Sequence, residues 1–363
     1  MSFTPPPYPH DRLREVRSLP GEHGLELLDL SIGTPVDPLP EKFRQLSFDL
    51  ANGYPTSIGS NRLRSAAIGW MSRRLGVELS LEEVAACVGS KEFVASTPWY
   101  LHLRQPERDV VLYPEVSYPT YAMGAILSGL KYFPVAIEDG KLQIESVPKD
   151  LLERTLLVWT NSPSNPTGEI YSIENVLQVA KAYDFVVVSD ECYVEYTWSS
   201  PRCSALSEGT DRLLAVHSLS KRSNFAGGRV GFYAGDRELV HYLSEVRKHA
   251  GLMIPGPFQE LGARLLDDDE HVEEEAKRYR GRLERLIEIF SILGYEPKMP
   301  DGGFYLWFDS KDQADGFEIA ASIAKRTGII VSPGEFYSSS HANFVRVAAV
   351  ASDYALERVL QAL

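Results

Sequence analysis

The stretch from His217 to Gly231, HSLSKRSNFAGGRVG, constrains this chain more than any other. Lys221 stands there among small residues and hydroxyls, with Arg229 eight positions later and glycines on both sides of that arginine. A lysine amine attacks an aldehyde only where its surroundings lower its pKa, and Schiff-base formation is its best-attested covalent role. Ser218 and the planar fork of Arg229 can clamp a phosphate beside it. A ligand that offers an aldehyde and a phosphate together satisfies all three side chains, and pyridoxal phosphate is such a ligand.

Position by position, the run is similar to the lysine-attachment signature of the class I/II aminotransferases. That signature reads small, apolar, small, Lys, two free positions, small, apolar, free, small, free, Arg, apolar, Gly. The bland alternative is a surface loop with an incidental Lys and Arg, and a pattern this long and mixed argues against it. The resemblance implies that Lys221 carries the cofactor as a Schiff base and that Ser218 and Arg229 anchor its phosphate.

A chain of 363 residues can bury a large core as two domains or one large α/β unit. The formal charge of -13 argues against nucleic acid, which needs clustered Lys and Arg. No apolar run reaches the roughly 18 residues of a membrane span. The proline-rich start, Met1 to His10, has no apolar core of signal-peptide length, so the cytoplasm is the expected compartment. Cys87, Cys192 and Cys203 are too few and too scattered for a metal site or a disulfide framework.

Taken in order, residues 1–30 read as an irregular arm, because consecutive prolines neither continue a helix nor donate to a sheet. A short strand near 28–32 breaks at Gly33, where backbone can approach a ligand closely. The turn-rich stretch around Tyr54 leads into a helix over 61–75. An apolar strand at 85–88 turns at Gly89 into a helix whose free N–H groups form a phosphate site, with Ser90 and Lys91 as contacts. The strand 109–114 is followed by Tyr118 and Tyr121. Tyr118 is the choice for stacking on a cofactor ring.

A strand at 154–160 ends in a turn containing Asn165 and Pro166, trans by default and open to cis. The β-branched run 185–190 reads as a central parallel strand with Asp190 at its carboxyl end, where open α/β sheets bind ligands. There Asp190 can hold a proton on a pyridine nitrogen, and Tyr193 can reach the ring oxygen. Val230 to Gly235 read as a returning strand, and helical patterning covers 236–250 and 257–293; the charge run of the long helix 271–293 reads as a solvated face. A strand at 343–348 places Arg346 inside an apolar alternation, where something must satisfy it.

The resemblance extends from Gly33 to Arg346, and the order Asn165, Asp190, Tyr193, Lys221, Arg229 matches the family. It implies an α/β fold of fold type I: a large domain with a mainly parallel seven-stranded-type sheet and a smaller α+β C-terminal domain. Residues 1–40 would form an arm and part of the small domain, 41–256 the large domain and 257–363 the small one. Asn165 would bind the ring oxygen, Arg346 the substrate carboxylate with Gly33 nearby, and Tyr54 a neighbour's cofactor phosphate across a homodimer interface.

The implied activity is ping-pong transfer of an amino group between an amino acid and a 2-oxo acid. The stretch Leu28 to Asp37 and the run Arg247 to Pro257 resemble the actinobacterial N-succinyldiaminopimelate aminotransferases, which would use glutamate as donor. Aspartate or another amino acid as substrate, or a related lyase, is the alternative. A non-catalytic pyridoxal-phosphate-binding regulator would need a DNA-binding extension, and the expected fold begins within about thirty residues of Met1.

Overall fold

The computed structural model describes residues 3–46, 49, 52–310 and 314–363. Its centre is a seven-stranded sheet made of β1 (Val84–Cys87), β2 (Val110–Pro114), β3 (Lys131–Val135), β4 (Thr155–Asn161), β5 (Val186–Asp190), β6 (Leu213–Ser218) and β7 (Gly231–Gly235). Their order across the sheet is β1-β7-β6-β5-β4-β2-β3. Only β7 runs antiparallel to its neighbours. Every residue of β4, β5, β6 and β7 is buried, as expected for strands covered by helices on both faces. The sequence reading found five of these strands; β3 and β6 were not among them. Residues Lys131 to Pro134 of β3 carry too much exposed surface to read as a buried strand.

The irregular arm expected over residues 1–30 is helical over 9–22. A 3-10 turn, Pro9–Leu13, leads into α1 (Arg14–Glu22). The prolines at 5–7 lie upstream of the helix, and Leu13 and Val16, one turn apart, are buried against the smaller core. Met1 and Ser2 of the expected arm lie outside the described residues.

The predicted helix over 61–75 is α2 (Asn61–Leu75), capped by the Ser60 side chain and ended by Gly76 in the left-handed region. The predicted turn at Gly89 opens α3 (Ser90–Arg104). Beyond the large sheet, β8 (Tyr305–Asp309), β9 (Ser332–Pro333) and β10 (Phe344–Ala348) form a small antiparallel sheet with β10 in the middle. A further parallel pair, Leu28–Asp29 with Ile329–Ile330, ties the N-terminal segment to this unit.

The helical patterning over 257–293 resolves into two helices, Gly256–Leu266 and Glu270–Ile292. Leu261, Ala263, Leu265 and Leu266 of the first belong to the large core, whereas Ala276, Tyr279 and Leu283 of the second belong to the small one. We therefore propose a domain boundary after Leu266 rather than at 257. The long helix is not wholly solvated on its charged face. Arg282 is buried and donates to Asp37 (2.8 Å) and Asp353 (3.0 Å).

One buried carboxylate fixes the ground beneath the lysine segment. Glu195 accepts from Trp70 Nε1 (2.6 Å) and Arg222 Nε (3.1 Å) through one oxygen, and from Arg74 (2.9 Å) through the other. Arg202 lies 3.3 Å away. Burial opposes its ionisation, but Arg222 and Arg74 more than offset this and hold the carboxyl below its ordinary value. Glu195→Gln keeps the shape and leaves the guanidinium groups without an anion, a loss of about 3 kcal/mol by analogy with broken buried pairs. Because the folded carboxyl titrates low, its stabilisation is present above the unfolded value and lost as pH falls through the folded one. Denaturant unfolding should therefore show the deficit at pH 7 and a narrowing gap in acid.

Candidate active site

The carboxyl ends of the parallel strands converge on a cavity of about 460 Å³. β4 ends at Asn161, beside Asp190 at the end of β5, and Asp190 is level with Val216 of β6. β6 then runs through Ser218 into a single helical turn that carries Lys221. Sheet register thus brings together residues that lie sixty positions apart in the chain.

Lys221 donates to the carbonyl oxygen of Gly33. Burial, with Arg346 and Arg229 nearby, lowers its pKa from 10.5 to about 8. The amine is therefore available as a nucleophile close to neutral pH. Gly33 has no room for a side chain, because a Cβ would collide with the Tyr305 ring and hydroxyl.

Arg346 projects from β10, the central strand of the small sheet, and is buried. It donates to Asn165 Oδ1 (2.8 Å) and to the carbonyl of Ser31 (2.6 Å), and its Nε has no partner among the described residues. Its guanidinium lies 4.2 Å from the Tyr305 ring centre and 4.7 Å from that of Tyr337. Asn165 uses its oxygen on Arg346, so its NH₂ remains as a donor. Both the Ser162–Pro163 and Asn165–Pro166 peptide bonds are cis.

Asp190 is buried, and desolvation raises its pKa even though Tyr121 Oη donates to it (3.0 Å) and the Cys192 N–H donates to it (3.2 Å). A buried carboxylate of this kind is satisfied by a cationic N–H. Asn161 Nδ2 fixes the Asp190 backbone through its carbonyl (2.8 Å). Tyr193 is buried on the same wall, its hydroxyl 2.9 Å from that of Tyr305.

Also on the cavity wall, α3 begins at Ser90 with no side chain capping its first N–H groups. The preceding Gly89 has φ +74°, and a Cβ there would strike the Arg229 guanidinium. Arg229 itself is held in the left-handed region (φ 53°), conformational strain of about 1–3 kcal/mol for a non-glycine residue. Its guanidinium donates to the carbonyls of Ala226 (3.0 Å) and Val88 (3.3 Å). Ser218, Ser220, Ser90 and Lys91 line the same cavity, where a helix N-terminus, hydroxyls and a fixed guanidinium form an anion cradle. The Lys91 ammonium donates to Tyr8 Oη (3.4 Å).

Of the residues expected at the site, Gly33, Ser90, Lys91, Tyr118, Asn165, Asp190, Tyr193, Ser218, Lys221, Arg229 and Arg346 all line this cavity. Tyr54 does not; it is 98% exposed on this chain. Tyr118 is set edge-on to Tyr121. Tyr121, passed over in the sequence reading, holds Asp190 and stacks on Trp159. Tyr8 and His10 also line the cavity and were missed, because the proline run beside them was read as structureless. Tyr305 and Tyr337, from the small unit, gave no periodic signal that separates them from core tyrosines.

The cavity matches pyridoxal phosphate group by group: an amine for its aldehyde, a buried carboxylate for its ring nitrogen and an anion cradle for its phosphate. The sequence profile described as aminotransferase class I and II matches residues 26–363. A probable aminotransferase of Mycobacterium tuberculosis is 37% identical, over 100% of this chain and 85% of that protein. The 4-dedimethylamino-4-oxo-anhydrotetracycline transaminase of Streptomyces rimosus is 36% identical, over 96% of each. The solved structure of a probable N-succinyldiaminopimelate aminotransferase from Thermus thermophilus is similar with a TM-score of 0.84 and 26% identity, over 98% of this chain and 100% of that one. The chain belongs to the class I and II aminotransferases and is a pyridoxal-phosphate-dependent enzyme that acts on amino acids and 2-oxo acids.

Proposed function

We propose that this aminotransferase transfers the amino group of glutamate to N-succinyl-2-amino-6-oxopimelate, a step toward diaminopimelate and lysine. The presence of Lys221, Arg346 and Asp190 in the lining of one cavity carries the amino-transfer part of the reading. The succinylated acceptor is supported by the likeness of Leu28 to Asp37 and Arg247 to Pro257 to such enzymes, and by the Thermus thermophilus neighbour. The tetracycline-pathway relative makes a different 2-oxo acid the alternative acceptor.

Pyridoxal phosphate supplies the aldehyde carbon and a protonated ring that draws electrons away from the substrate's Cα. The chain supplies the rest. Arg346 pairs with the α-carboxylate and, with its Asn165 and Ser31 bonds already made, holds it in one orientation. Lys221, neutral above about pH 8, would take the proton from Cα and deliver it to the cofactor's former aldehyde carbon, on the far side of the substrate nitrogen. Asp190 keeps the ring nitrogen protonated, with Tyr121 fixing the carboxylate. The free NH₂ of Asn165 and the hydroxyl of Tyr193 serve the ring oxygen, and Tyr118 stacks on the ring. Ser90, Lys91, Ser218 and Arg229 hold the phosphate, and the exposed Tyr54 joins them across a homodimer interface from the partner subunit.

Lys221→Ala is expected to lower turnover by about 10³-fold or more, because general acid–base transfer is removed together with the attachment point. In the wild-type apoprotein the rate of pyridoxal phosphate uptake, followed by visible absorbance, should rise with pH and level off above about pH 8, as Lys221 loses its proton. A rate that keeps rising toward pH 10 would contradict the depressed lysine. For the acceptor, glutamate-dependent turnover should be measured with the succinylated 2-oxo acid, oxaloacetate and other 2-oxo acids. Robust turnover of oxaloacetate with none of the succinylated compound would replace the proposed acceptor.

A further inference from the structure

None of the roles above uses Glu191 or His217, although each adjoins in the chain a residue that serves the cofactor. Glu191 follows Asp190, and His217 precedes Ser218. Successive side chains of a strand point to opposite faces of its sheet. Asp190 and Ser218 line the cavity, whereas Glu191 and His217 do not and are only 2% and 3% exposed.

The backbone ladder between β5 and β6 stops at this level. Its last register pair is Asp190 with Val216, and beyond that the Glu191 N–H donates to the Val216 carbonyl (3.0 Å). His217 and Ser218 pair instead with Phe232 and Gly231 of β7. The ladder therefore ends just where the strands begin to carry cofactor-facing groups. A side-chain contact continues the junction: His217 Nε2 lies 3.4 Å from Glu191 Oε2. Oε2 and both ring nitrogens are buried and have no other partner in hydrogen-bond geometry among the described residues.

Both side chains are held in place. Glu191 Oε1 accepts from the Ala205 N–H (2.7 Å), and the imidazole packs against the Trp70 and Phe232 rings, 5.0 and 4.9 Å between centres. Trp70 in turn donates to Glu195, so His217 rests on the network beneath the lysine segment. Burial raises the Glu191 carboxyl to about 7 and lowers the imidazole to about 3, with the Glu191 backbone carbonyl and Glu195 opposing the second change. The ring is thus neutral in the working range. A protonated Glu191 donates from Oε2 to Nε2; an ionised one accepts from the tautomer that carries its proton on Nε2. A hydrogen bond joins the two side chains in either state.

We infer that Glu191 and His217 are positioning residues: their hydrogen bond extends the β5–β6 junction past the end of the ladder and sets the distance between Asp190 and Ser218. Asp190 serves the cofactor's ring nitrogen and Ser218 its phosphate, two groups a rigid ligand holds at fixed separation. Slippage between the strand ends weakens binding and misdirects the ring. The inference rests on those two roles and is independent of which 2-oxo acid is the acceptor.

The first readout is pyridoxal phosphate affinity of the apoprotein, titrated by absorbance; the second is the half-reaction with glutamate. His217→Phe keeps a ring against Trp70 and Phe232. It and Glu191→Ala are each expected to weaken cofactor affinity about tenfold, equivalent to about 1.4 kcal/mol. The half-reaction should slow in both, with the KM for glutamate, which depends on Arg346, within about twofold of wild type. The double variant should be no weaker than either single one, because both remove the same bond. Glu191→Gln can donate to Nε2 while its oxygen accepts from Ala205, and should bind the cofactor within about twofold of wild type. Unchanged affinity in the single variants, additive losses, or a glutamine variant as weak as the alanine one would each overturn the inference. If Glu191→Ala fails to fold, His217→Phe and Glu191→Gln decide. Asp190→Asn and Ser218→Ala test the underlying reading: if neither weakens cofactor affinity, that reading fails, whereas losses there with none in His217→Phe overturn the positioning pair alone.

Discussion

The carboxylate of Glu195 is the interaction on which the rest of the site depends. It is buried, and Trp70 and Arg74 of α2 meet on it with Arg202 and Arg222. Arg222 is the residue next to Lys221, and it also donates to the carbonyls of Leu265 (2.7 Å) and Asp268 (3.2 Å). One residue therefore faces the interior network while its neighbour faces the cavity. Removing one member of such a cluster leaves several buried charges uncompensated, which is why the geometry of the lysine is overdetermined. A short helical turn of only Leu219–Arg222 could not hold Lys221 by its own hydrogen bonds.

Once the lysine is fixed, burial acts with opposite signs on its neighbours. Desolvation disfavours charge, so it lowers Lys221 and raises Asp190. The first change frees an amine for attack and proton transfer; the second leaves a carboxylate that gains from a cationic N–H. Arg346 strengthens the first effect, because a fixed guanidinium nearby further disfavours an ammonium group. The same cation that selects a carboxylate thus prepares the base that acts beside it.

Legibility in the sequence tracks how local each feature is. Lys221, Arg229, Asp190 and Asn165 sit at strand ends and turns whose patterns are short and contiguous, and the sheet brings them together as its register requires. The seven-stranded order itself was not legible: β6 is the strand that delivers Lys221, yet its residues were read only as the flank of a motif. Tyr121 was passed over because a tyrosine inside an apolar helix reads as core, and it is core on its Trp159 side while its hydroxyl serves Asp190. The break between the helices Gly256–Leu266 and Glu270–Ile292 was hidden by three consecutive aspartates that suit a solvated face equally well.

The N-terminal wall escaped for a different reason, and it bears on how such enzymes diverge. Proline correctly signals the absence of regular structure at 5–7, but irregular backbone is not unplaced backbone. Tyr8 and His10 are located by the residues downstream of them, where Leu13 and Val16 are buried and Arg12 and Arg17 reach fixed partners. Strand ends cannot vary without disturbing a register shared by the whole sheet, so the groups that serve the cofactor are confined there. A segment held outside the sheet carries no such constraint. Side chains on it can change and alter which substrate is read, while Arg346 and Lys221 keep performing the same proton transfer.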